Sequence, residues 1–330
     1  FLLIAFFILD IVIGSVSVPL KQIFLVFTGS EDVRREWHTI VLGFRLPKAL
    51  TAVLAGAALS VSGLQMQTIF RNPLAGPYVL GISSGAGLGV AVVVMGFSSL
   101  AGIGFLSVMG DWGIAVAAWI GAGLVMLLIL AVSVRVRDIM TILILGIMFG
   151  AAASSLVSIF QYFSNEALLK SFVVWSLGSL AGVGDRQLYI LAAGVLTGIA
   201  AAFLSSKMLN ALLLGEAYAK SMGMCIRKAR LVVFISTSLL AGSVTAFCGP
   251  IGFIGIAVPH LARLMLRTSD HNHLITGSLL LGAIVMLVSD ILTQLPGHGQ
   301  VLPVNSVTAL LGIPVIVWII IRNSRFSAFT

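Results

Sequence analysis

The chain has 330 residues, of which 59% are hydrophobic and only 9% are charged, and its mean hydropathy is +1.14. Ordinary soluble domains carry about 25% charged residues, so this composition excludes a soluble globular fold and indicates an integral membrane protein. A formal net charge of +8 would suggest nucleic acid as a partner of a soluble protein. In a membrane protein, cations in cytoplasmic loops explain that charge, so we expect contact with membrane lipid and not with nucleic acid.

Apolar segments separated by polar turns predict an all-α, polytopic protein with about ten transmembrane helices, organised as one transmembrane domain over residues 1–330. Each segment approaches the roughly 20 residues that cross a bilayer core. The first segment lacks a basic leader and a convincing cleavage site, which favours a spanning helix over a signal peptide. The predicted spans cover residues 1–27, 46–70, 78–97, 113–134, 139–163, 187–206, 231–248, 250–266, 274–295 and 303–321.

Loop charges predict the orientation of these spans. If the loop at Arg71 is cytoplasmic, alternation places most of the cations on the cytoplasmic side, including the basic turn at Arg135 and the long polar segment 207–230. The opposite turns hold Glu31, Asp32 and other acids. By the positive-inside rule, this bias predicts that both termini are cytoplasmic.

The second predicted span carries a stripe of small residues that ends in an amide: Ala52, Gly56, Ser60, Gly63 and Gln67. Such a stripe allows another helix to approach closely within lipid. The segment Arg71-Asn72-Pro73-Leu74-Ala75-Gly76-Pro77 then breaks the helix. We therefore predict a closely packed helix that stops sharply at its cytoplasmic end.

The sequence contains no motif by which the chain itself could bind ATP or couple transport to an ion gradient. There is no phosphate-binding loop and no HExxH motif, and the two cysteines, Cys225 and Cys248, lack the spacing of a metal site. Asp10 and Asp290 are the only acidic residues well inside predicted spans. Ion-driven transporters usually need several buried ionisable groups. These absences indicate that a partner protein supplies the energy.

The stretches RLPKALTAVLAGAALSVSG, FRNPLAGP and LGISSGAGLG, between residues 45 and 89, resemble FecCD-type permeases. These are the membrane subunits of ATP-driven importers for iron–siderophore complexes, haem and vitamin B12. Similar stretches recur at 173–188, 246–265 and 302–320, so the resemblance covers residues 45 to 321. It implies a type II ABC importer permease that forms a homodimer with two cytoplasmic ATPase subunits and an external solute-binding protein. The permease itself is not an enzyme and has no cofactor, because the ATPase subunits bind ATP and Mg.

The resemblance also assigns roles to residues. The segment 207–230 is similar to the coupling loop that contacts the ATPase, with Glu216, Ala217, Ala219 and Gly223 at the matching positions. The alternative is an ordinary amphipathic connector. A small residue followed four positions later by Gly suits a short helix that ends in a left-handed conformation. The cytoplasmic gate is expected at Asn72, Pro73 and Leu74, and docking of the binding protein at Arg45 and Lys48. Simple anchoring of these two cations at the membrane surface is the alternative.

Two further features have competing interpretations. Gly146, Gly150, Ser154 and Ser158 recur every four residues in the fifth span, with Gln161 one turn later. Such a stripe packs a helix closely more often than it lines a passage, but the resemblance favours a lining of the transport pathway. His260 could be a metal or haem ligand, although packing or a surface contact beside Arg263 is the more common role.

The sequence is compatible with more than one cargo and with more than one mechanism. Iron–siderophore ranks first on family abundance alone, with haem and vitamin B12 as the other candidates. A secondary transporter with broken helices and a membrane-embedded enzyme are the rivals from other classes. Dependence of uptake on an ATPase would exclude the first, and the second lacks any metal or nucleophile constellation.

Overall fold

The computed structural model describes residues 1–14, 16, 18–29, 34–97, 104–136, 138–295 and 301–327, and over these ranges its regular structure is entirely helical. The first α-helices are α1 (Leu2–Val12), α2 (Leu20–Phe27), α3 (Arg35–His38), α4 (Leu46–Ile69), α5 (Ile82–Ala91), α6 (Gly104–Arg135), α7 (Ile139–Phe163) and α8 (Glu166–Ser176). The remaining ones are α9 (Asp185–Leu204), α10 (Ser206–Leu213), α11 (Glu216–Ser221), α12 (Ile226–Cys248), α13 (Ile254–Leu266), α14 (His271–Thr293) and α15 (Val304–Ser327). Short π-helices at Thr39–Arg45 and Val92–Phe97 and a 3-10 turn at Pro77–Leu80 extend α4 and α5.

The predicted all-α, multi-span architecture is confirmed. Six helical segments are long and apolar enough to cross a membrane: Arg35–Ile69, Trp112–Ser133, Ile139–Phe163, Asp185–Leu204, Ile226–Cys248 and His271–Thr293. Four shorter apolar helices, Leu2–Val12, Ile82–Gly96, Ile254–Leu266 and Val304–Ile319, occupy the other predicted segments. Each of the ten predicted spans therefore has an apolar helix in the structure.

Helix α4 is the central element of the bundle. In the segment Arg35–Ile69, which contains α4, 83% of the most apolar 18-residue stretch is buried. In α7 and α9 only 28% of the corresponding stretch is buried, so most of their surface faces outward. The helix packs against α9, α12, α13 and α14. Its low amphipathicity agrees with this position, because a helix that is buried on all sides needs no polar face.

The small-residue stripe of α4 allows these contacts. A Cβ atom added to Gly56 would lie 2.1 Å from the carbonyl oxygen of Gly282 in α14, and one added to Gly63 would lie 1.7 Å from that of Gly255 in α13. The Ser60 hydroxyl donates a hydrogen bond to the Ser278 carbonyl at 2.7 Å. The predicted close approach is therefore confirmed, and any larger side chain at Gly56 or Gly63 would push the helices apart.

The first predicted span is not continuous, which corrects the sequence analysis. Helix α1 ends at Val12, and α2 starts at Leu20 directly after Pro19. Proline begins helices readily because it lacks the N–H that a first turn leaves unpaired. The guanidinium of Arg45 binds the carbonyls of Ile11 and Val12, the last residues of α1. A cation at a helix C-terminus satisfies these free carbonyls and stabilises the break.

Two other boundaries differ from prediction. The expected turn at Asp111 and Trp112 lies inside α6, which begins at Gly104. The eighth span begins at Ile254 and not at Pro250, because the chain is irregular from Gly249 to Phe253 and both of those residues have positive φ angles (73° and 66°). For Phe253 this conformation is unusual and strained.

Candidate functional site

The polar segment 207–230 folds into two short helices between the spans α9 and α12. Helix α10 is followed by Leu214 and by Gly215, whose φ of 112° turns the chain into α11. Helix α11 ends at Ser221, and Gly223, two residues later, has a φ of 83° and donates its N–H to the Lys220 carbonyl at 2.9 Å. The N–H of Met224 reaches back to the Ala219 carbonyl at 3.0 Å. This is the left-handed glycine ending that the sequence predicts.

The four residues expected to couple to an ATPase have different environments. Ala219 is fully buried, while Ala217 and Gly223 are exposed. Glu216 forms an ion pair of 2.6 Å with Arg230, a buried residue in the second turn of α12. The carboxylate of Glu216 therefore holds α11 against α12, and its role in coupling to an ATPase stays a prediction.

An exposed apolar surface surrounds α11. Leu213, Leu214, Tyr218 and Met222 expose between 48% and 65% of their surface. The exposed cations Lys220, Arg227 and Lys228 border it. Clustered apolar residues with a charged rim are typical of a protein–protein contact.

The expected gate at Asn72, Pro73 and Leu74 is an ordered turn at the end of α4. Arg71 has a φ of 45° and ends the helix. The side-chain oxygen of Asn72 accepts from the N–H of Leu74 at 2.9 Å, and its carbonyl accepts from the N–H of Ala75 at 3.0 Å. Asparagine favours such turns because its side chain imitates a backbone acceptor. Pro73 and Leu74 are exposed at the tip of the turn.

Helix α13 fixes this turn in place. The His260 Nε2 atom donates to the Pro73 carbonyl at 2.8 Å. One turn away, Arg263 donates to the Gln67 side chain at 2.5 Å, and the same amide donates to the Ile256 carbonyl at 3.1 Å. His260 therefore has the packing role that the sequence favours over a ligand role. Among the described residues, no group of three His, Cys, Asp or Glu side chains is placed to hold a metal ion.

The small-residue stripe of α7 divides into two parts. Gly146 and Gly150 are buried, and a Cβ atom on Gly146 would lie 2.8 Å from the Val79 carbonyl oxygen. Gly146 therefore packs against the 3-10 turn before α5 and Gly150 against Gly81 and Ser84, and a role of either glycine in lining a passage stays a prediction. Ser154 and Ser158, one and two turns further on, are exposed, and Gln161 is half-buried.

Arg45 and Lys48, the two cations expected to dock a binding protein, have partners inside the chain. Arg45 is 8% exposed and donates to the carbonyls of Ile11 and Val12 at 2.7 and 2.8 Å. Lys48 forms an ion pair of 2.8 Å with Asp290 in α14. Asp10 is buried and interacts with Asp290 and both cations. The two acids found inside predicted spans therefore meet the two cations in one buried cluster.

This buried cluster, formed by Asp10, Arg45, Lys48 and Asp290, carries two formal positive and two formal negative charges. Charged groups within a membrane protein are stable only when they are paired or hydrogen-bonded in this way. Three of its members line a cavity of about 300 Å³ between α4, α14 and the chain at Gly178–Ala181. The docking role of Arg45 and Lys48 stays a prediction.

Sequence reasoning did not identify a second set of interacting polar residues, Thr68, Asn210 and His271. Thr68 adjoins Gln67, and His271 lies within the polar run 268–273, so nothing in the sequence set these residues apart from their neighbours. In the structure they form consecutive hydrogen bonds across three helices. Their contacts join the segment 207–230 to the end of α4.

Comparison with known proteins gives consistent matches. The FecCD transport family model matches residues 2–322. The vitamin B12 import system permease proteins BtuC of Salmonella paratyphi A (strain ATCC 9150 / SARB42) and Klebsiella pneumoniae subsp. pneumoniae are each 36% identical to the chain. These alignments cover 85% and 84% of this chain and 83% and 81% of the relatives.

Solved structures show the same architecture. A metal-chelate type ABC transporter in an inward-facing conformation superposes with a TM-score of 0.83 at 28% identity, covering 97% of this chain and 96% of the other. PsaBC from Streptococcus pneumoniae, in complex with Fab, superposes with a TM-score of 0.51 at 16% identity over 82% and 88% of the two chains, a likeness of fold alone. The chain belongs to the FecCD transport family and is a multi-pass, non-catalytic permease of the ABC importer type.

Proposed function

We propose that this chain forms the membrane passage of an ATP-driven importer for a bulky metal chelate, with a vitamin B12-type corrinoid as the first candidate cargo. The observation that carries the proposal is the 36% identity to vitamin B12 import permeases over 85% of the chain. This relationship favours the corrinoid over the iron–siderophore that family abundance ranks first. The siderophore is the second candidate, because the structural relative is a metal-chelate type transporter.

The assembly in this proposal is a homodimer in the cytoplasmic membrane with two ATPase subunits and an external binding protein, and both termini are cytoplasmic. No phosphate-binding loop occurs in the sequence, so ATP can act only through contact with another protein. The exposed apolar surface around Tyr218 and Met222 supports α11 as that contact. Ala217 and Gly223 lie on its exposed side, while Ala219 and Glu216 fix the helix to the rest of the chain.

The passage itself lies at the gate turn in this proposal. A cavity of about 410 Å³ adjoins Leu74 and is lined by Tyr78, Ile251, Phe253 and other residues of the two breaks that precede α5 and α13. Its walls are largely apolar, which suits the flat, weakly polar faces of a chelate. The exposed hydroxyls of Ser154 and Ser158 on α7 support a weakly polar lining elsewhere along the passage.

The cargo and the energy source can be tested together in proteoliposomes that contain the chain and an ATPase that co-purifies with it. Labelled cyanocobalamin, ferric siderophore and haem are offered with the external binding protein, with ATP either enclosed or omitted. We expect ATP-dependent uptake of cyanocobalamin, and an ATPase without its phosphate-binding lysine is the matched control. Uptake driven by a proton or sodium gradient without ATP would overturn the importer assignment. Uptake of the siderophore alone would overturn only the cargo.

A further inference from the structure

Helix α10 lies between the span α9 and the proposed ATPase contact α11, and it packs against both α4 and α14. Its apolar side is buried through Leu209 and Leu212. Only Leu214 and Gly215 separate α10 from α11. A displacement of α11 must therefore either move α10 or be absorbed in these two residues.

The first polar contact of α10 is made by Asn210. Its amide nitrogen donates to the Asp270 carboxylate at 2.7 Å. Its amide oxygen accepts from the backbone N–H of His271 at 2.8 Å and faces the ring Nδ1 atom at 2.7 Å. Because that oxygen can only accept, the Nδ1 atom carries the proton. Asn210 is thereby joined to the first turn of α14 by three hydrogen bonds.

The same histidine reaches the gate helix. Its Nε2 atom lies 2.8 Å from the Thr68 hydroxyl in the last turn of α4. In the neutral imidazole with Nδ1 protonated, Nε2 is the acceptor for Thr68, whose single hydroxyl proton also faces the Leu64 carbonyl at 3.0 Å. His271 and Thr68 are only 1% and 4% exposed, so no bulk water replaces a lost partner there. Thr68 precedes the gate residue Asn72 by four positions.

A second contact joins α10 directly to the turn that follows α4. The Arg71 guanidinium, at the start of the gate turn, donates to the Leu212 carbonyl of α10 at 3.1 Å. Asn210 and Leu212 lie two residues apart on α10, and Thr68 and Arg71 lie three apart at the end of α4, with His271 of α14 bridging Asn210 to Thr68. If α10 slid along α4, both contacts would break. If α10 and the end of α4 moved together, both contacts would be kept.

We propose that α10 transmits movement of α11 to the gate turn, and that Thr68, Arg71, Asn210 and His271 are the positioning residues that join it to α4. The inference rests on the proposed function, since it assumes an ATPase at α11 and a gate at residues 72–74. It assigns the transmission to a hydrogen-bonded contact between α10 and α4. The long span α12, to which Glu216 is ion-paired, is the other route from α11 into the membrane.

The test compares variants that remove single hydrogen-bonding groups without changing shape. Thr68→Val removes the hydroxyl, Asn210→Leu removes the amide, and Thr68→Ser retains the hydroxyl as the conservative rescue. Thr51→Val is the matched control, because Thr51 is also buried in α4 but bonds only to its own helix, at the Pro47 carbonyl 2.7 Å away. Each variant is purified with the ATPase and measured for basal and binding-protein-stimulated ATP hydrolysis. A spin label at Leu74→Cys in both protomers reports the gate.

We expect Thr68→Val and Asn210→Leu each to lower the stimulated-to-basal ratio about five-fold or more, the lower range of measured coupling between sites. In the same two variants, the change that nucleotide causes in the distance between the two spin labels should also decrease. Thr68→Ser and Thr51→Val should behave as the unmodified chain. The double variant should be no worse than either single one, because both act on one contact. A purely structural role would lower complex yield and thermal stability without changing the ratio.

Three results would overturn the inference: unchanged ratios in both single variants, effects that multiply in the double variant, or an equal effect of Thr51→Val. If Thr68→Val does not assemble, Asn210→Leu decides alone, since Asn210 is only half-buried. Failure of the proposed function can be distinguished from failure of this inference. If the proposed function is wrong, the unmodified complex itself shows neither stimulated ATP hydrolysis nor a change in the distance between the spin labels.

Discussion

At the scale of single residues, the charges inside the bundle are used mainly to hold helices together. Arg45 closes the end of α1, Lys48 joins α4 to α14, and Glu216 joins α11 to α12. Each ionic side chain resembles a functional site when it is seen alone in an apolar segment. In the folded chain each of these residues has an internal partner within hydrogen-bonding distance.

The ion pair between Lys48 and Asp290 gives a direct prediction. Asp290→Asn removes the carboxylate that lies 2.8 Å from the Lys48 ammonium and leaves Asp10 as the remaining acid of the cluster, and breaking one side of a buried pair costs about 3–5 kcal/mol of folding free energy. We expect a clear loss of thermal stability of the purified chain, measured as the unfolding midpoint in detergent. Asp185→Asn, at the exposed start of α9, is the matched control. An unchanged midpoint would show that the pair contributes nothing to stability.

The same variant tests the docking prediction for Lys48. If Lys48 binds a carboxylate of the binding protein, it must first release Asp290, so Asp290→Asn should strengthen docking when affinity is measured at low salt. The gain should shrink as salt rises, because screening weakens exposed charge pairs. An equal or weaker affinity of the folded variant would leave Lys48 with its internal role alone.

At the scale of elements, short helices are defined by the residues that end them. Helix α11 has only six residues and owes its orientation to the turn at Gly215, the Glu216–Arg230 ion pair and the left-handed Gly223. Helices this short are not stable by themselves. Its placement therefore depends on these three features.

Substitution of Gly223 isolates the backbone effect. No atom lies within 4 Å of a Cβ added there, so a side chain at this position meets no steric obstacle except the φ of 83°. The left-handed conformation costs most residues about 1–2 kcal/mol, and asparagine adopts it more readily than valine. Gly223→Val should reduce co-purification of the ATPase and stimulated ATP hydrolysis several-fold, and Gly223→Asn should retain both.

Gly182→Val is the matched control for this series, because Gly182 also has free space around it but lacks a positive φ. Equal activity of Gly223→Val and Gly223→Asn would contradict a requirement for the left-handed ending. A loss in Gly182→Val as large as in Gly223→Val would also contradict it.

At the scale of the whole molecule, the proposed homodimer places two gate turns opposite each other. The chain leaves large apolar residues of α7 exposed, including Leu156, Ile159 and Phe163, and a membrane-facing or protein-facing surface must cover them. Leu74, at the tip of the gate turn, is 46% exposed in the single chain. Its exposure is consistent with a role at an interface.

A cross-linking experiment tests this arrangement. The exposed native Cys225 is first replaced by Ser, while the buried Cys248 is retained. Cysteine at Asn72 or Leu74 should then form a disulfide between protomers in a nucleotide-dependent way, because the gate narrows and widens during the transport cycle. Ser171→Cys, on an exposed position of α8, is the control for collisional cross-linking. Labels that stay far apart in every nucleotide state would contradict the gate.

The sequence by itself determined the features that depend on local pattern and composition. Hydropathy identified the ten apolar segments, the spacing of Gly56, Ser60 and Gly63 predicted the close packing of α4, and Gly223 predicted a left-handed helix end. Its motifs also identified the permease family. These features follow from one helix or one turn at a time, so a single sequence is enough to predict them.

Only the tertiary structure decided how distant polar residues pair. Lys48 meets Asp290, Arg45 closes α1 after Val12, and Thr68 meets His271 although 203 positions separate them in the chain. The break in the first span and the packing role of Gly146 and Gly150 likewise depend on neighbouring segments. Burial makes a polar group depend on a partner, and the folded arrangement of helices determines which partner lies within hydrogen-bonding distance.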